Sequence, residues 1–183
     1  MDKQYHPTEI EEKWAKIWSE RKVKNESSTE SFSQVIPPPN VTGTLHMGHS
    51  FQYAIMDFYT RYNHMAGKDS YWQVGSDHAG IATQMVVENN LAKKAITRKD
   101  LGREKFLEEV WSWKDYSEEK ITSQIKRLGN TVDWNKYRFT LDDDFNEAVI
   151  KAFVELHRKG KIYRGYRLVN WDPSLKTAVS DLE

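Results

Sequence analysis

The sequence lacks cysteine entirely, has only five prolines and nine glycines among its 183 residues, and contains no long apolar run. The absence of cysteine excludes disulfide bonds, thiol catalysis and zinc sites built on cysteine, and it is compatible with a reducing compartment. A membrane-spanning helix needs about 20 predominantly apolar residues, which no stretch of the sequence supplies. Because the N-terminus also lacks the apolar segment of a signal peptide, we expect a soluble, cytoplasmic protein without membrane contacts.

The sequence also lacks net charge, since Lys and Arg together number 27 and Asp and Glu together number 27. A chain without net charge does not attract a polyanion over long distances, so strong autonomous binding of nucleic acid is not predicted. Hydrophobic residues nevertheless make up 38% of the chain and aromatic residues 13%. This content predicts a folded domain with its own core rather than a disordered polypeptide.

Three consecutive prolines, residues 37–39, separate a short apolar run from a long segment of helical periodicity. Proline cannot donate a hydrogen bond to a strand, so the run from Phe32 to Ile36 predicts a strand that ends at the prolines. Beyond the loop Asn40 to Gly43, apolar residues at helical spacing predict a helix from about Leu45 to Ala66, which Gly67 ends. The segment is therefore predicted to form a strand, a loop and a helix.

Two histidines, His46 and His49, lie three residues apart in the predicted first turn of this helix and share a face, with Gly48 between them. The N-terminus of a helix offers free N–H groups and a positive dipole end to phosphates, and two imidazoles add donors. A glycine lets a purine or ribose lie against the backbone. We therefore predict a nucleotide site. Coincidence and a pair of metal ligands are the alternatives, but no cysteine is present to complete a metal site.

A second, aromatic-rich strand is predicted from Ser70 to Val74, which gives an α/β fold with a parallel sheet. The order strand, helix, strand is that of a right-handed crossover, and ligands of such sheets bind beyond the carboxyl ends of the strands. Residues 37–43 and 75–80 both follow strand ends, so we expect them to form one site. Asp77 lies in the second segment. A role in binding a ligand at this site and a local role, in an Asx turn or a helix cap before Gly80, are equally good interpretations of this residue.

An N-terminal helix is predicted from Pro7 to about Arg21, with Thr8 and Glu11 spaced as a capping box. Trp14 and Trp18 lie on one stripe of this helix, and we expect them to pack against the domain rather than bind a partner.

The second half of the chain is predicted to be mainly helical. Helices are expected at 81–94, as one or two helices between 97 and 128, and at 145–159, with a strand from Ile162 to Trp171 after them. The basic residues between 97 and 128 are interspersed with acids, so we interpret them as a solvated face. The run Asp142 to Asp144 is interpreted as the capped start of the last helix rather than a metal site.

Three segments resemble motifs of the class I aminoacyl-tRNA synthetases, in the same order along the chain. Residues 37–49, P-P-P-N-V-T-G-T-L-H-M-G-H, resemble the nucleotide-binding signature, and their loop is most similar to that of the valine-activating members. Residues 75–84, G-S-D-H-A-G-I-A-T-Q, are similar to the next core motif of those members. The third segment, residues 168–183, reads L-V-N-W-D-P-S-L-K-T-A-V-S-D-L-E. Together the three span nearly the whole chain.

The resemblance implies an N-terminal helix and loop in residues 1–31 and the first half of a Rossmann-like catalytic domain in residues 32–183, ending at the junction with an absent editing insertion. It implies ATP-dependent activation of L-valine to valyl-adenylate and transfer to tRNA(Val), incomplete in this chain. Mg²⁺ would arrive with ATP, and tRNA(Val) would be bound mostly by absent regions. Asp172 stands where some relatives carry a zinc-ligating cysteine, so no metal site is expected.

The resemblance also assigns roles to individual residues. His46 and His49 would be catalytic, donating hydrogen bonds to the phosphates in the transition state. Asp77 would face the ammonium group of valine, because a carboxylate in a pocket needs a cation. The remaining residues of the ATP site would be Thr42, Gly43 and Gly48, and those of the amino-acid site Pro38 and Asn40.

Two other functions are compatible with parts of the sequence. A small nucleotidyltransferase shares the His-x-Gly-His pattern on the same strand, loop and helix, but residues 75–84 and 168–183 would then have no explanation. A non-catalytic interaction module would use the tryptophan pairs Trp14 and Trp18 or Trp111 and Trp113 to bind a partner.

Overall fold

The structure is a computed structural model that describes residues 6–19 and 28–180. The chain forms two compact units, one ending at Asp142 and the other beginning at Asp143. The helices are α1 (Pro7–Ser19), α2 (Met47–Met65), α3 (Ile81–Ala92), α4 (Arg98–Arg127) and α5 (Asp143–Arg158). The strands are β1 (Ser31–Val35), β2 (Asp69–Gln73), β3 (Gly75–Ser76), β4 (Arg138–Phe139), β5 (Asn170–Asp172) and β6 (Thr177–Val179). The boundary at residue 31 and the junction after residue 183 stay predictions.

The first unit is organised around the predicted strand, loop, helix and strand. β1 pairs with β2 in parallel, in a register that runs from Ser31 opposite Asp69 to Val35 opposite Gln73. β3 pairs with β4, also in parallel. The α/β fold class with parallel strands is thus confirmed, and both long strands begin and end within one residue of the prediction. Gly67, at φ +88°, follows the capping residue of α2 as predicted.

The core of the first unit lies between the strand ends, α2 and α4. Apolar residues from all three are buried there: Ile36, Val41, Tyr53, Trp72, Val74, Ile121, Ile125, Val132 and Phe139. A second, smaller cluster joins α3 to the first part of α4 through Val87, Leu91 and Phe106. The long charged stretch predicted as one or two helices is two helices merged across Gly102, whose φ is +71°. Besides its mixed charges, α4 therefore has a buried face, which is formed by its apolar residues.

A charged pair on α2 holds the turn that follows α4. Asp57 is buried and accepts the N–H of Thr131 at 2.6 Å, while its other oxygen accepts from Arg61 at 2.7 Å. Arg61 donates in turn to the carbonyl of Gly129 at 2.6 Å. Because each charged group is paired and hydrogen-bonded, the burial of Asp57 is compensated. The end of α4 is thereby fixed to the helix that carries the two histidines.

The N-terminal helix packs on the rest of the first unit through Trp18. The ring of Trp18 lies over Gly129, the guanidinium of Arg61 lies 4.8 Å from the ring centroid, and the expected packing is confirmed for this tryptophan. Trp14 lies next to Trp18, with ring centroids 5.7 Å apart and the ring planes tilted by 32°, but it is 42% exposed. The predicted capping box of this helix is wrong, because the helix already begins at Pro7, a residue suited to the first helical position. The predicted end near Arg21 lies outside the described residues.

Replacing Gly129 by alanine is expected to lower the free energy of unfolding by about 2–4 kcal/mol. A Cβ at this position would overlap the Trp18 ring, and its φ of +71° disfavours any residue with a Cβ. Gly102→Ala is the matched control, since Gly102 has the same φ but nothing within 4 Å of its added Cβ. Urea unfolding of the 183-residue chain should give a smaller loss for the control, and equal losses would contradict the role of Trp18.

The second unit begins with α5, whose first turn contains Asp143 and Asp144, as the helix dipole favours and as predicted. Gly160, at φ +67°, follows the helix end. The predicted strand from Ile162 to Trp171 is wrong, because only Asn170–Asp172 is extended and it pairs antiparallel with β6. Tyr163 and Tyr166, which lie in the predicted strand, are exposed and pair with no other strand of the described residues.

Within residues 6–19 and 28–180, the structure contains no helix with both the length and the apolar character that crossing a membrane requires.

Candidate active site

Two loops meet at the carboxyl ends of β1 and β2. The N–H of Val41 donates to the carbonyl of Asp77 at 2.9 Å, and the N–H of Asp77 donates to the carbonyl of Pro39 at 2.9 Å. Asn40 and Asp77 form a parallel bridge between these bonds. The proline-rich loop and the segment that carries Asp77 therefore lie side by side at one edge, where ligands of parallel sheets bind. Sequence analysis predicted this meeting of the two segments.

The two histidines close the N-terminus of α2. The helix begins at Met47 rather than at Leu45, and His46 precedes it in an extended conformation, with φ −116° and ψ 173°. The Nδ1 atom of His46 accepts the N–H of Gly48 at 3.1 Å, and the N–H of His46 donates to Nδ1 of His49 at 3.2 Å. His46 is therefore the capping residue and not a member of the first turn, which corrects the predicted position.

These bonds fix the proton on each ring. A neutral imidazole that accepts at Nδ1 carries its proton on Nε2, so both histidines present an Nε2–H donor away from the helix backbone. The ring centroids are 3.9 Å apart. Burial and the nearby His46 lower the pKa of His49 from its ordinary value of 6.5. His46 is exposed and His49 half-buried, so a ligand at the helix start meets the Nε2–H donors of both rings.

Gly48 is needed by the cap itself. A Cβ on Gly48 would lie 2.9 Å from Cε1 and 3.0 Å from Nδ1 of the His46 ring, which is closer than real Cβ atoms come to a neighbour. The backbone of Gly48 does not have a positive φ. The glycine thus makes room for the imidazole that accepts its own N–H, a reason that sequence analysis did not find.

The loop before α2 is held by side chains of α4 that sequence analysis missed. The indole N–H of Trp113 donates to the carbonyl of Val41 at 2.9 Å, and the hydroxyl of Ser117 donates to the carbonyl of Gly43 at 2.8 Å. Oε1 of Gln124 accepts the N–H of Leu45 at 2.9 Å. The only signal in the sequence is that 113, 117 and 124 share one face of a helix.

Asp77 occupies a tight turn beyond β3. Its Oδ1 accepts the N–H of Ala79 at 2.6 Å, which is the Asx turn that the sequence left open as an alternative. Ala79 and Gly80 then adopt positive φ values of 52° and 49° before α3 begins. The side chain of Asp77 is 37% exposed, and Nδ1 of His78, at 3.7 Å, is the one side-chain nitrogen of a His, Lys or Arg within 4 Å of its carboxylate among the described residues. A second carboxylate oxygen stays available to a cationic ligand.

His78 fixes the same turn from its other side. Its N–H donates to the hydroxyl of Thr140 at 2.9 Å, and its ring Nδ1 lies 2.6 Å from that hydroxyl. The hydroxyl of Thr83 donates to the carbonyl of His78 at 2.6 Å. With its N–H, carbonyl and ring all engaged, His78 has a structural role.

A network of polar side chains supports β3, the strand that precedes Asp77. The hydroxyl of Tyr137 donates to Oγ of Ser76 at 2.6 Å and lies 2.9 Å from Oε1 of Glu118. Lys114 pairs with the other oxygen of Glu118 at 2.7 Å. Burial, more than the neighbouring carboxylates, raises the pKa of Tyr137, so it stays a protonated donor. The network joins α4 to β3, the strand that ends just before Asp77.

The remaining predicted residues lie on the same loop. Pro38 and Asn40 are exposed at the edge, next to the buried Pro39. Thr42 and Gly43 are half-buried, and no hydrogen bond between described residues uses the N–H of either one. The structure therefore brings all eight predicted site residues to the ends of β1, β2 and β3 and the start of α2.

The chain is similar to known proteins in family, sequence and structure. The family model for tRNA synthetases class I (I, L, M and V) matches residues 9–183. The chain is 60% identical over 180 residues to the Valine–tRNA ligase of Acinetobacter baylyi, covering 98% of this chain and 18% of that protein. It is 53% identical over 186 residues to the Valine–tRNA ligase of Francisella tularensis subsp. tularensis, covering 100% of this chain and 20% of that protein. The chain thus spans about a fifth of the length of these curated relatives.

A solved structure has the same fold. The chain resembles the LeuRS of Agrobacterium radiobacter K84, crystallised in a ternary complex with tRNA and LeuAMS, with a TM-score of 0.75. The match covers 97% of this chain and 21% of that one at 24% sequence identity. At this identity the match supports the fold, which is the Rossmann-like fold of a class I synthetase.

Proposed function

Since the chain belongs to the class I tRNA synthetases (I, L, M and V), we propose that it forms part of an enzyme that activates L-valine with ATP and transfers it to tRNA(Val). The parallel bridge between Asn40 and Asp77 carries this proposal, because it joins the loop before the two histidines to a free carboxylate at one edge. Valine as the substrate is supported by the two Valine–tRNA ligases that match the whole length of the chain.

The proposed first step joins the amino acid to the nucleotide. The carboxylate of valine attacks the α-phosphorus of ATP, the bond from that phosphorus to the bridging oxygen breaks, and pyrophosphate leaves. Negative charge on the phosphates is then stabilised by the Nε2–H donors of His46 and His49 and by the free N–H groups of Thr42 and Gly43. Gly48 keeps the His46 ring in its capping position.

Mg²⁺ is proposed to enter with the phosphates of ATP rather than in a protein cage. Within the described part of the chain, no three His, Cys, Asp or Glu side chains converge into a metal-binding group. In nucleotide sites Mg²⁺ is usually coordinated by substrate phosphates and water, with few protein ligands. When bound, it would neutralise charge on the leaving pyrophosphate.

The amino-acid side of the site is proposed to lie at Asp77, Asn40 and Pro38. Oδ1 of Asp77 is occupied by the Asx turn, which leaves the other oxygen to accept from the ammonium group of valine. The exposed Asn40 and Pro38 lie next to it and would line the pocket. The adenylate would then be formed where the two loops meet, before its transfer to tRNA.

The partner tRNA(Val) and a cytoplasmic location complete the proposal. The chain carries no net charge and spans about a fifth of its relatives. We propose that most tRNA contacts come from other parts of the enzyme.

Valine-dependent exchange of pyrophosphate into ATP tests the function. In the full gene product, the exchange should require valine, and kcat/KM for valine should exceed that for isoleucine by at least about tenfold, since one methylene is worth that much in an apolar pocket. Isoleucine, leucine and threonine serve as competitors, and D-valine as the negative control. A preference for isoleucine or leucine, or no exchange with any amino acid, would contradict the proposal.

A further inference from the structure

We propose that α4 positions the loop before α2, residues 40–45, and that Ser117 and Gln124, together with Trp113, are positioning residues for the reaction. These three side chains form what we call the positioning face of α4. The inference rests on the proposed function and adds to it a group of residues outside all three sequence motifs. None of the three is placed against substrate, so each acts through the loop backbone.

The bonds of the positioning face determine which way the loop N–H groups point. All described peptide bonds are trans, and in a trans peptide the C=O and N–H of one unit point in opposite directions. The carbonyl of Val41 shares its peptide with the N–H of Thr42, and that of Gly43 with the N–H of Thr44. Because both carbonyls are held by α4, both N–H groups point away from α4.

Those N–H groups are also unused. Among the hydrogen bonds of the described residues, none has the N–H of Thr42 or Thr44 as its donor. Free, parallel N–H groups beside a helix N-terminus are suited to phosphate oxygens. The loop thus turns these donors away from α4, next to the helix start that His46 caps, and α4 maintains that orientation.

The spacing of the positioning face matches the loop. Trp113 and Ser117 are one turn apart on α4, about 6 Å along its axis, and their acceptors are two residues apart on a chain that spans at most about 7 Å in that distance. Gln124 lies further along the helix, but helical side chains point back toward the N-terminus, which brings its amide to Leu45.

The helix behind this face is anchored in the core. Ser117 is 1% exposed, and Ile121 and Ile125, on the same side of α4, are 1% and 0% exposed. The side chain of Trp113 packs against the smaller core cluster. A face held this way keeps the loop donors in place before the nucleotide binds, which lowers the ordering cost of binding.

Kinetics and amide exchange in the full gene product test the inference. Gln124→Met removes the acceptor for the N–H of Leu45 at similar size, and Ser117→Ala removes the donor to Gly43. For each variant, KM for ATP in valine-dependent pyrophosphate exchange should rise about threefold to tenfold, the effect of one net hydrogen bond. KM for valine should be unchanged, because Asp77 and Asn40 are held by other bonds. The amide of Leu45 should exchange hydrogen faster in Gln124→Met.

Three results separate positioning from a general structural effect. Gln124→Glu keeps the acceptor and should restore both KM for ATP and slow exchange at Leu45. Ser123→Ala, on the exposed side of the same helix, should behave like the unmodified protein. Faster exchange at Leu45 with unchanged KM for ATP, or a Gln124→Glu variant as impaired as Gln124→Met, would overturn the inference. Loss of valine dependence in the unmodified protein would instead overturn the proposed function, whatever the exchange rate at Leu45.

Discussion

Replacing His49 by alanine is expected to slow valine activation about 10²–10³-fold, equivalent to about 2.7–4 kcal/mol of transition-state stabilisation, as for other preorganised donors at a developing negative charge. His49 is held neutral by burial and by the neighbouring His46, and its Nδ1 is occupied by the N–H of that residue. Its Nε2–H is therefore fixed before the substrate binds. The pre-steady-state rate of adenylate formation in the full gene product measures the effect.

Two comparisons separate this chemical role from the capping role of His49. The variant loses the acceptor for the N–H of His46, a capping interaction worth about 1 kcal/mol, so its thermal midpoint should fall only slightly. His64→Ala, a histidine in the last turn of the same helix, should leave the rate of adenylate formation unchanged. A rate within a factor of about three of the unmodified protein would remove His49 from the reaction, since capping alone does not slow the chemical step.

Replacing Asp77 by asparagine is expected to lower kcat/KM for valine at least about thirtyfold, the lower bound for removing one partner of a buried, hydrogen-bonded charge pair. An asparagine oxygen still accepts from the N–H of Ala79, so the Asx turn that shapes the loop is retained. The change therefore removes charge with little change of geometry. Steady-state pyrophosphate exchange at varied valine concentration measures the loss of kcat/KM for valine, and KM for ATP should stay the same.

The matched control for this variant is Asp133→Asn. Asp133 accepts the N–H of Asn135 at 3.1 Å in the same kind of turn, but it precedes the short 3₁₀ helix Trp134–Lys136 rather than following a strand end. It should leave the kinetics for both substrates unchanged. Valine kinetics in Asp77→Asn equal to those of the control would show that the carboxylate serves the turn alone and does not bind the ammonium group.

Local signals in the sequence were sufficient for the elements around the site. Three prolines end β1 because proline cannot continue a strand, and Gly67 ends α2 because its positive φ suits glycine. The order of the elements then predicted parallel pairing and one shared edge. The bridge between Asn40 and Asp77 agrees with that prediction, which needed no knowledge of distant contacts.

The start of α2 was predicted two residues too early for a non-local reason. Leu45 fits the apolar periodicity, but its N–H is bonded to Gln124, 79 residues away. The positioning face of α4 was not predicted for the same reason, because the residues to which it is hydrogen-bonded lie at least 72 residues away in the sequence. Neither bond has a local signature. The strand predicted from Ile162 to Trp171 is wrong because a strand requires a pairing partner, and within the described part of that segment only Asn170–Asp172 has one.

The cap made by His46 and His49 couples the shape of the helix start to acidity. The Nδ1 atom of His49 accepts the N–H of His46, and a protonated ring has no lone pair left to do so. The pKa of His49 is lower in the folded chain than its ordinary 6.5. The contribution of this bond to the free energy of unfolding is therefore complete at pH values above 6.5 and is lost as the pH falls through the lowered pKa of His49. Acid would therefore free the N–H of His46 and loosen the first turn of α2, so the geometry of the helix start depends on the pH around the pKa of this one histidine.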